Sequence, residues 1–306
     1  MSSTNTITLE GREVSATFSD WAELLRPKIA GMVAFTAFIA ALLARGPGAS
    51  LAAAFEISLW VTLSAGAGSV LNQVLERDTD GLMERTAKRP LVRGVISSRD
   101  AILFAACLMV VPLVALALRF SILSSLLAAG TLLLYIAIYT PLKRVSSLNT
   151  VPGAVAGAAP PAIAWAAVTG SLDGWGVWLT AILFVWQFPH FMAIAWMYRE
   201  DYARAGLRMV ASGPDSDGDA GRQATVYALF LMPIALLPAM TGLASVVYAA
   251  GTSILCAAYL GASIAFMFVE NRKRARSLMI VSLIYLPMQF ALVFLDPSVR
   301  QMLESI

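Results

Sequence analysis

The stretch SVLNQVLERDTDGLMERTAKRPL, residues 69–91, interrupts a chain that is otherwise almost continuously apolar. Eight charged side chains and one asparagine fall between residues 72 and 89: Asn72, Glu76, Arg77, Asp78, Asp80, Glu84, Arg85, Lys88 and Arg89. Long apolar runs lie on both sides of the stretch. The pattern therefore predicts that an apolar helix ends here, at a polar surface, and that another begins after it.

The composition indicates a membrane protein. Of the 306 residues, 58% are hydrophobic and 13% are charged, with a mean hydropathy of +0.74, whereas soluble domains carry about 25% charged residues. Runs near the roughly 20 residues that cross a bilayer as a helix lie at about 29–44, 51–72, 100–119, 120–140, 148–169, 174–197, 225–243, 246–269 and 277–295. We therefore expect an all-α membrane protein with nine transmembrane helices.

The positions of the basic residues predict the orientation. Nineteen of the 22 Lys and Arg residues fall in the N-terminal segment and in alternate loops, and short loops rich in these residues stay cytoplasmic. The prediction is a cytoplasmic N-terminus in a multi-pass protein of the bacterial cytoplasmic (inner) membrane. The net charge of +3 is then mainly a topology signal, and no nucleic-acid partner is expected.

The chain divides into one large domain and two short ends. We expect a mobile tail over 1–18, a single transmembrane domain over 19–296 and a short C-terminal tail over 297–306. The segment SDWAELLRPKI predicts a short interfacial helix with Asp20 as its N-cap, and Pro27 favours a bend into the first span.

Three oxygen-bearing side chains share one helical face in the opening stretch. Asn72, Glu76 and Asp80 are spaced four residues apart, which aligns them along a helix. Two carboxylates and an amide suit Mg²⁺, which proteins usually hold through one or two carboxylates together with substrate phosphates. The alternative is a solvated helix end with local ion pairs.

Basic residues follow these acids. Arg85 and Arg89 come within a few turns, and Lys143 and Arg144 end the fourth apolar run in YTPLKRVSSLN. They either mark topology and contact anionic lipid headgroups, or they form a basic rim that binds a diphosphate bridged to the protein by Mg²⁺. One residue can do both.

His190 is the only histidine, and it follows Pro189 inside the sixth apolar run. Ionisable residues within a span are costly and usually face the interior of the bundle. A hydrogen-bonded core histidine is the alternative to a functional one. Glu200 and Asp201, at the end of the same run, either form a second acidic edge or cap the helix.

Over about residues 20–295 the sequence resembles the UbiA superfamily of intramembrane prenyltransferases. The resemblance rests on NQVLERDTDGLMERTAKRPLVRG, YTPLKRVSSLNTVPGAVAGAAPP and WQFPHFMAIAWMYREDYARAG. It implies a nine-span helical bundle around a central cavity, in which acidic motifs bind a prenyl diphosphate through Mg²⁺. Asn72, Glu76 and Asp80 match the first motif as catalytic and metal-binding residues, but Gln73 stands where the family usually has Asp. The second motif is reduced to YREDY, residues 198–202.

Both departures resemble the heme-farnesylating branch of this superfamily. The implied reaction joins farnesyl diphosphate and heme B, with water, to give heme O and diphosphate in the biosynthesis of heme A. Arg85, Arg89, Lys143 and Arg144 match positions expected to bind the diphosphate. His190 is the candidate for contacting heme, through iron or a propionate, and Asp201 is grouped with it as a substrate residue. Association with other proteins of heme A biosynthesis is also expected.

Three other functions compete with this one. A related enzyme that prenylates an aromatic or chlorin acceptor differs only in its substrate. A transporter also uses interrupted helices with polar residues at mid-membrane, but here the charges cluster at one face. A structural subunit that binds heme without chemistry has a poor ligand set in a single histidine.

Overall fold

The computed structural model describes residues 7–9, 12–14, 16–44, 50–212 and 218–304. Most of the described chain is helical. Its elements, in chain order, are β1 (Ile7–Leu9), β2 (Arg12–Val14), α1 (Phe18–Leu24), α2 (Pro27–Leu43), α3 (Leu51–Leu75), α4 (Arg77–Asp80), α5 (Ser98–Arg119), α6 (Ile122–Leu133), a π-helix (Leu134–Tyr139), α7 (Thr140–Leu142), a 3₁₀-helix (Ser147–Asn149), α8 (Thr150–Thr169), α9 (Gly174–Met197), α10 (Arg199–Arg204), α11 (Asp219–Met240), α12 (Val246–Phe268), α13 (Arg272–Leu295) and α14 (Pro297–Glu304).

Eight helices in the described residues are long and apolar enough to cross a membrane, and the bent pair α1–α2 makes a ninth if it counts as one span. The all-α membrane fold is confirmed, while the count of nine spans and the cytoplasmic N-terminus stay predictions. Half of the predicted tail over 1–18 lies outside the described residues. The part that is described includes β1 and β2, which pair antiparallel. The domain boundaries likewise stay predictions.

The spans pack mostly against their neighbours in the chain. Helix α2 contacts α3 and α8, α3 contacts α5, α6 contacts α8, and α9 contacts α8, α11 and α13. Helices α8 and α9 are the most buried spans. Alanine and glycine along α8 let backbones approach closely, as is usual for helix packing in membranes. Neither Pro160 and Pro161 in α8 nor Pro189 in α9 ends its helix.

The joint between α1 and α2 differs in detail from its prediction. Thr17, not Asp20, is the N-cap, because the Thr17 hydroxyl accepts from the Asp20 amide. Asp20 is the third helical residue, and its carboxylate completes the capping box. Arg26 then takes a left-handed conformation with φ of 51°, and Pro27 opens α2 after a bend of 58°. This turn directs Arg26 toward the interior.

A π-helix lies inside the fourth span. Residues Leu134–Tyr139 adopt this wider turn between α6 and α7, and such turns often occur at functional sites. The Thr140 hydroxyl donates to the Tyr135 carbonyl at 2.9 Å, five residues back. The extra residue per turn changes the direction of the side chains that follow, which include Lys143.

Candidate active site

Helix α3 ends at Leu75, yet Asn72, Glu76 and Asp80 keep helical spacing across the break. The Glu76 amide donates to the Asn72 carbonyl at 2.9 Å, and the Asp80 amide donates to the Glu76 carbonyl at 2.7 Å. Asn72, Glu76 and Asp80 are all buried. Three polar side chains are therefore withdrawn from water at one end of the bundle. We call this the polar end; α3 and α9 end there, and α5 begins there.

Asn72 is held by partners from two other helices. Its Oδ1 accepts from Arg26 Nη2 at 2.9 Å, and its Nδ2 donates to the Thr140 hydroxyl at 3.1 Å. The first contact depends on the left-handed turn before α2, and the second on the π-helix. Asn72 therefore connects both irregular backbone segments to the end of α3.

Gln73 faces away from this cluster and ties α3 to α1. Its Nε2 donates to the Leu24 carbonyl at 2.8 Å and to the Ser69 carbonyl at 3.2 Å. An ionised aspartate at this position can only accept hydrogen bonds, so it cannot make these contacts. The amide at residue 73 has a structural role at the C-terminal end of α1.

Glu76 pairs with Lys143 across the bundle. Lys143 Nζ lies 2.8 Å from Glu76 Oε1 and 4.3 Å from the centre of the Tyr139 ring. Burial alone lowers the pKa of the Lys143 ammonium, but Tyr139 and Glu76 outweigh this effect and raise the pKa above its ordinary value. Lys143 is therefore a fixed positive charge beside the acids.

Asp80 pairs with Arg89, but only through one oxygen. Arg89 Nη1 contacts Asp80 Oδ2, while Asp80 Oδ1 is buried without a hydrogen-bond partner in the described structure. Burial raises the pKa of the Asp80 carboxyl, and Arg89 only partly opposes that shift. A buried carboxylate oxygen without a partner is costly, and here it points to a ligand.

These groups line a cavity of about 200 Å³, which we call the inner cavity. Its charged lining consists of Arg26, Glu76, Asp80, Arg85, Arg89 and Lys143. Its apolar lining includes Ile29, Phe191 and Ile194, from α2 and α9. Four cations against two carboxylates leave the inner cavity positive and suited to a polyanion, and the apolar wall extends from it toward the membrane interior.

Of the four predicted diphosphate ligands, the structure brings three to the inner cavity. Arg85, Arg89 and Lys143 line it, and Arg85 also lies over the Tyr198 ring, 4.8 Å from its centre, and donates to the Tyr202 hydroxyl at 3.3 Å. Arg144 is exposed, and its Nη2 contacts the Leu75 carbonyl at 3.4 Å. Its contact is with the C-terminal end of α3.

The two predicted substrate residues lie apart from the acids. His190 Nδ1 is 2.7 Å from the Ser282 hydroxyl, and its ring stacks on Trp186. Ile194, one helical turn further along α9, lines the inner cavity, so His190 lies one turn deeper on that side of the helix. Asp201 forms an ion pair with Arg204 and lines a second cavity at the surface.

Sequence reasoning missed Arg26, Tyr139 and Tyr202 as site residues. Arg26 counted only as a topology signal, although an arginine directly before the Pro27 that starts a helix marks a sharp joint. Tyr139 lies two residues before Pro141 in YTPLKR, within a motif already singled out. Tyr202 ends the YREDY segment already singled out, but nothing in the local sequence indicates that it contacts Arg85 in a distant segment.

The residues present fit a magnesium ion that a substrate phosphate helps to bind. Among the described residues, no group of three or more His, Cys, Asp and Glu side chains is placed to hold a metal by itself. Glu76 and Asp80 nevertheless supply two carboxylates, and Asp80 Oδ1 is unpaired. Mg²⁺ is typically bound by one or two carboxylates with phosphate oxygens and water, so this donor set matches its requirements.

The chain is similar to proteins of one known family. The family model described as "UbiA prenyltransferase family" matches residues 33–292. A protoheme IX farnesyltransferase of Koribacter versatilis (strain Ellin345) is 35% identical, covering 94% of this chain and 96% of that protein. One of Solibacter usitatus (strain Ellin6076) is 40% identical, covering 76% and 80%.

A solved structure shares the fold. The UbiA homolog from Archaeoglobus fulgidus bound to DMAPP and Mg²⁺ superposes with a TM-score of 0.64 at 17% identity, covering 90% of this chain and 99% of that one. The family model spans most of this chain, and the two curated relatives exceed 30% identity over at least three quarters of it. On these grounds the chain, a multi-pass membrane protein, belongs to the UbiA prenyltransferase family.

Proposed function

We propose that this protein transfers the farnesyl group of farnesyl diphosphate to a vinyl group of heme B, with addition of water, and releases heme O and diphosphate. The inner cavity carries the proposal, because it combines two buried carboxylates with four cations beside an apolar wall. The names of the relatives, protoheme IX farnesyltransferase, support the choice of donor and acceptor.

We assign the diphosphate to Arg26, Arg85, Arg89 and Lys143. As the carbon–oxygen bond of the donor breaks, both electrons leave with the diphosphate, and preorganised cations stabilise that developing charge. In a water-poor cavity such stabilisation is stronger than in bulk solvent. The long side chains are restrained before the substrate arrives: Lys143 by Glu76 and Tyr139, and Arg85 by Tyr198 and Tyr202.

Glu76 and Asp80, with Asn72 beside them, would hold Mg²⁺ together with the substrate phosphates. A bound Mg²⁺ supplies further positive charge at the leaving diphosphate. Asn72 Oδ1 already accepts from Arg26, so the two carboxylates are the principal ligands in this proposal. The unpaired Asp80 Oδ1 provides a free acceptor.

The acceptor chemistry needs no nucleophilic side chain. The vinyl π electrons form the new carbon–carbon bond to C1 of the farnesyl group, which leaves a cation on the carbon next to the porphyrin ring. Water adds to that carbon and loses a proton, giving the hydroxyl of heme O. The apolar residues Ile29, Phe191 and Ile194 exclude other water from the farnesyl chain. His190, one turn deeper, is the proposed contact for heme.

We further propose a location in the bacterial cytoplasmic membrane, with the polar end toward the cytoplasm, and association with other proteins of heme A biosynthesis.

The test of function is to incubate the purified protein with farnesyl diphosphate, Mg²⁺, and either heme B or a phenolic acid, and to identify products by mass spectrometry. Heme O from the first mixture is expected. A prenylated phenolic acid without heme O would contradict the proposal.

A further inference from the structure

A second cavity opens at the polar end, beside the inner cavity. Its volume is about 510 Å³, and we call it the surface cavity. Four arginines, Arg85, Arg199, Arg204 and Arg272, share its lining with Trp196, Tyr198 and three acids. Arg85 lines both cavities, so ligands in the two would be neighbours.

Two of these arginines are available to a ligand. Arg204 is already occupied by Asp201, with Glu84 3.6 Å away. Arg199 contacts Glu200 at 3.4 Å, but the Glu200 side chain is 83% exposed, and such pairs contribute little. Among the described residues Arg272 has no carboxylate within salt-bridge distance.

Aromatic rings orient two of the guanidinium groups. Arg199 Cζ lies 4.2 Å from the centre of the Trp196 ring, and Arg85 Cζ lies 4.8 Å from the centre of the Tyr198 ring. Arg199 Nη1 donates to the Trp196 carbonyl at 3.1 Å, so the edge left for a ligand consists of Nε and Nη2, once the exposed Glu200 is displaced. Such an arginine edge matches a carboxylate in two parallel hydrogen bonds. The surface cavity thus offers oriented carboxylate donors next to a flat apolar surface.

The two cavities differ in their balance of positive and negative side chains. The inner cavity sets four cations against two buried carboxylates, whereas the surface cavity sets four arginines against three acids. A diphosphate, with several negative charges in one group, is better matched by the more positive and more buried site. Singly charged carboxylates that stay partly hydrated are better matched by the surface cavity.

We propose that the surface cavity binds the two propionate carboxylates of the acceptor porphyrin, with Arg199 and Arg272 as their partners. The inference rests on the proposed function and deepens it. Vinyl groups lie on a different part of the porphyrin rim from the propionates. Anchoring the propionates at the surface therefore allows the ring to pack along Trp196 with a vinyl group directed to the inner cavity, where the farnesyl diphosphate lies.

The test compares heme B with its dimethyl ester, in which both carboxylates are neutral. Wild type and the variant Arg199→Gln/Arg272→Gln are assayed with each acceptor, and KM is measured for acceptor and donor separately. Arg276→Gln is the matched control, because Arg276 is an exposed arginine one turn along α13 from Arg272 and outside the lining of this cavity.

Esterification is expected to raise the acceptor KM of wild type about tenfold or more, since hydrogen bonds to charged groups are among the stronger ones. The double variant should show the same increase with heme B itself and little further increase with the ester. The KM for farnesyl diphosphate should not change, and Arg276→Gln should behave as wild type. An unchanged penalty for esterification in the double variant would overturn the proposal.

Two further outcomes have defined meanings. The first concerns lipid. If the raised KM of the double variant for heme B returns to the wild-type value in bilayers without anionic lipid, while esterification still raises the acceptor KM, these arginines bind lipid and the proposal is wrong. If wild type farnesylates no porphyrin, the proposed function fails. The cavity is then tested separately by equilibrium binding of heme B and its dimethyl ester, and equal affinity for the two in wild type would overturn it.

Discussion

Lys143 Nζ lies 2.8 Å from Glu76 Oε1, with the two side chains only 11% and 8% exposed. This ion pair joins the end of α3 to the segment that follows the π-helix, and both residues line the inner cavity. A pair with only a structural role and a pair that also binds substrate lead to different predictions. If stability is restored by removing both charges, turnover returns only when the pair has no role in binding substrate.

Lys143→Met leaves Glu76 buried without its partner. Breaking a buried pair in this way typically lowers the free energy of unfolding by about 3–5 kcal/mol. The double variant Glu76→Gln/Lys143→Met removes both charges and should recover most of that loss in a thermal or detergent denaturation experiment. Its turnover should nevertheless stay about 100-fold or more below wild type, as expected when a preorganised charge is lost. A stable double variant with normal turnover would show that the pair has a structural role only.

Asp80→Asn tests the proposed metal ligand. The substitution keeps the volume of the side chain but removes the charge, so turnover should fall about 100-fold or more, and the Mg²⁺ concentration for half-maximal activity should rise. Asp78→Asn is the control, because Asp78 lies two residues before Asp80 in the sequence but is exposed to solvent. Equal Mg²⁺ dependence in the two variants would remove Asp80 from the metal site.

Arg26→Gln tests a residue that the sequence did not single out. The guanidinium contacts Asn72 and lines the inner cavity, so its loss should raise the KM for farnesyl diphosphate by about tenfold or more, in line with the loss of a hydrogen bond to a charged group. Arg144→Gln removes an exposed arginine instead and should leave that KM nearly unchanged. A larger increase in the KM for farnesyl diphosphate in Arg144→Gln than in Arg26→Gln would show that Arg144, and not Arg26, binds the diphosphate.

Gly153→Ala tests the position of the Tyr139 ring. A Cβ at residue 153 would lie 2.7 Å from the ring, so the ring must move from its place beside Lys143 or the helices must separate. We expect reduced turnover with a small loss of stability, measured by steady-state kinetics and thermal denaturation. At Gly130 a Cβ would meet nothing within 4 Å. Gly130→Ala should therefore be neutral, or stabilising by about 0.5–1 kcal/mol, and equal effects of the two substitutions would contradict the role of Tyr139.

The parts of the site that the sequence predicts are those that depend on local spacing. Asn72, Glu76 and Asp80 fall together because hydrogen bonds four residues apart persist beyond the end of α3. The apolar runs likewise match the spans to within a few residues at most ends, because a bilayer requires a minimum length of apolar helix. Thr17 displaces Asp20 as the N-cap of α1, which is a shift of three residues within one turn.

The parts that the sequence does not reveal depend on irregular backbone and on distant contacts. The π-helix of residues 134–139 has no compositional signal, yet it orients Thr140 and Lys143. The contact of Arg26 with Asn72 joins residues 46 positions apart and requires a left-handed turn. The contact of Arg85 with the Tyr202 hydroxyl likewise joins residues 117 positions apart.

The most direct measurement uses water labelled with ¹⁸O. Purified protein is incubated with heme B, farnesyl diphosphate and Mg²⁺ in labelled water, and the product is identified by mass spectrometry. The proposed reaction gives heme O that carries one ¹⁸O atom in its new hydroxyl, with one diphosphate released per heme O formed, and almost no product from Asp80→Asn. A farnesylated product without the label, or no porphyrin product from wild type, would contradict it.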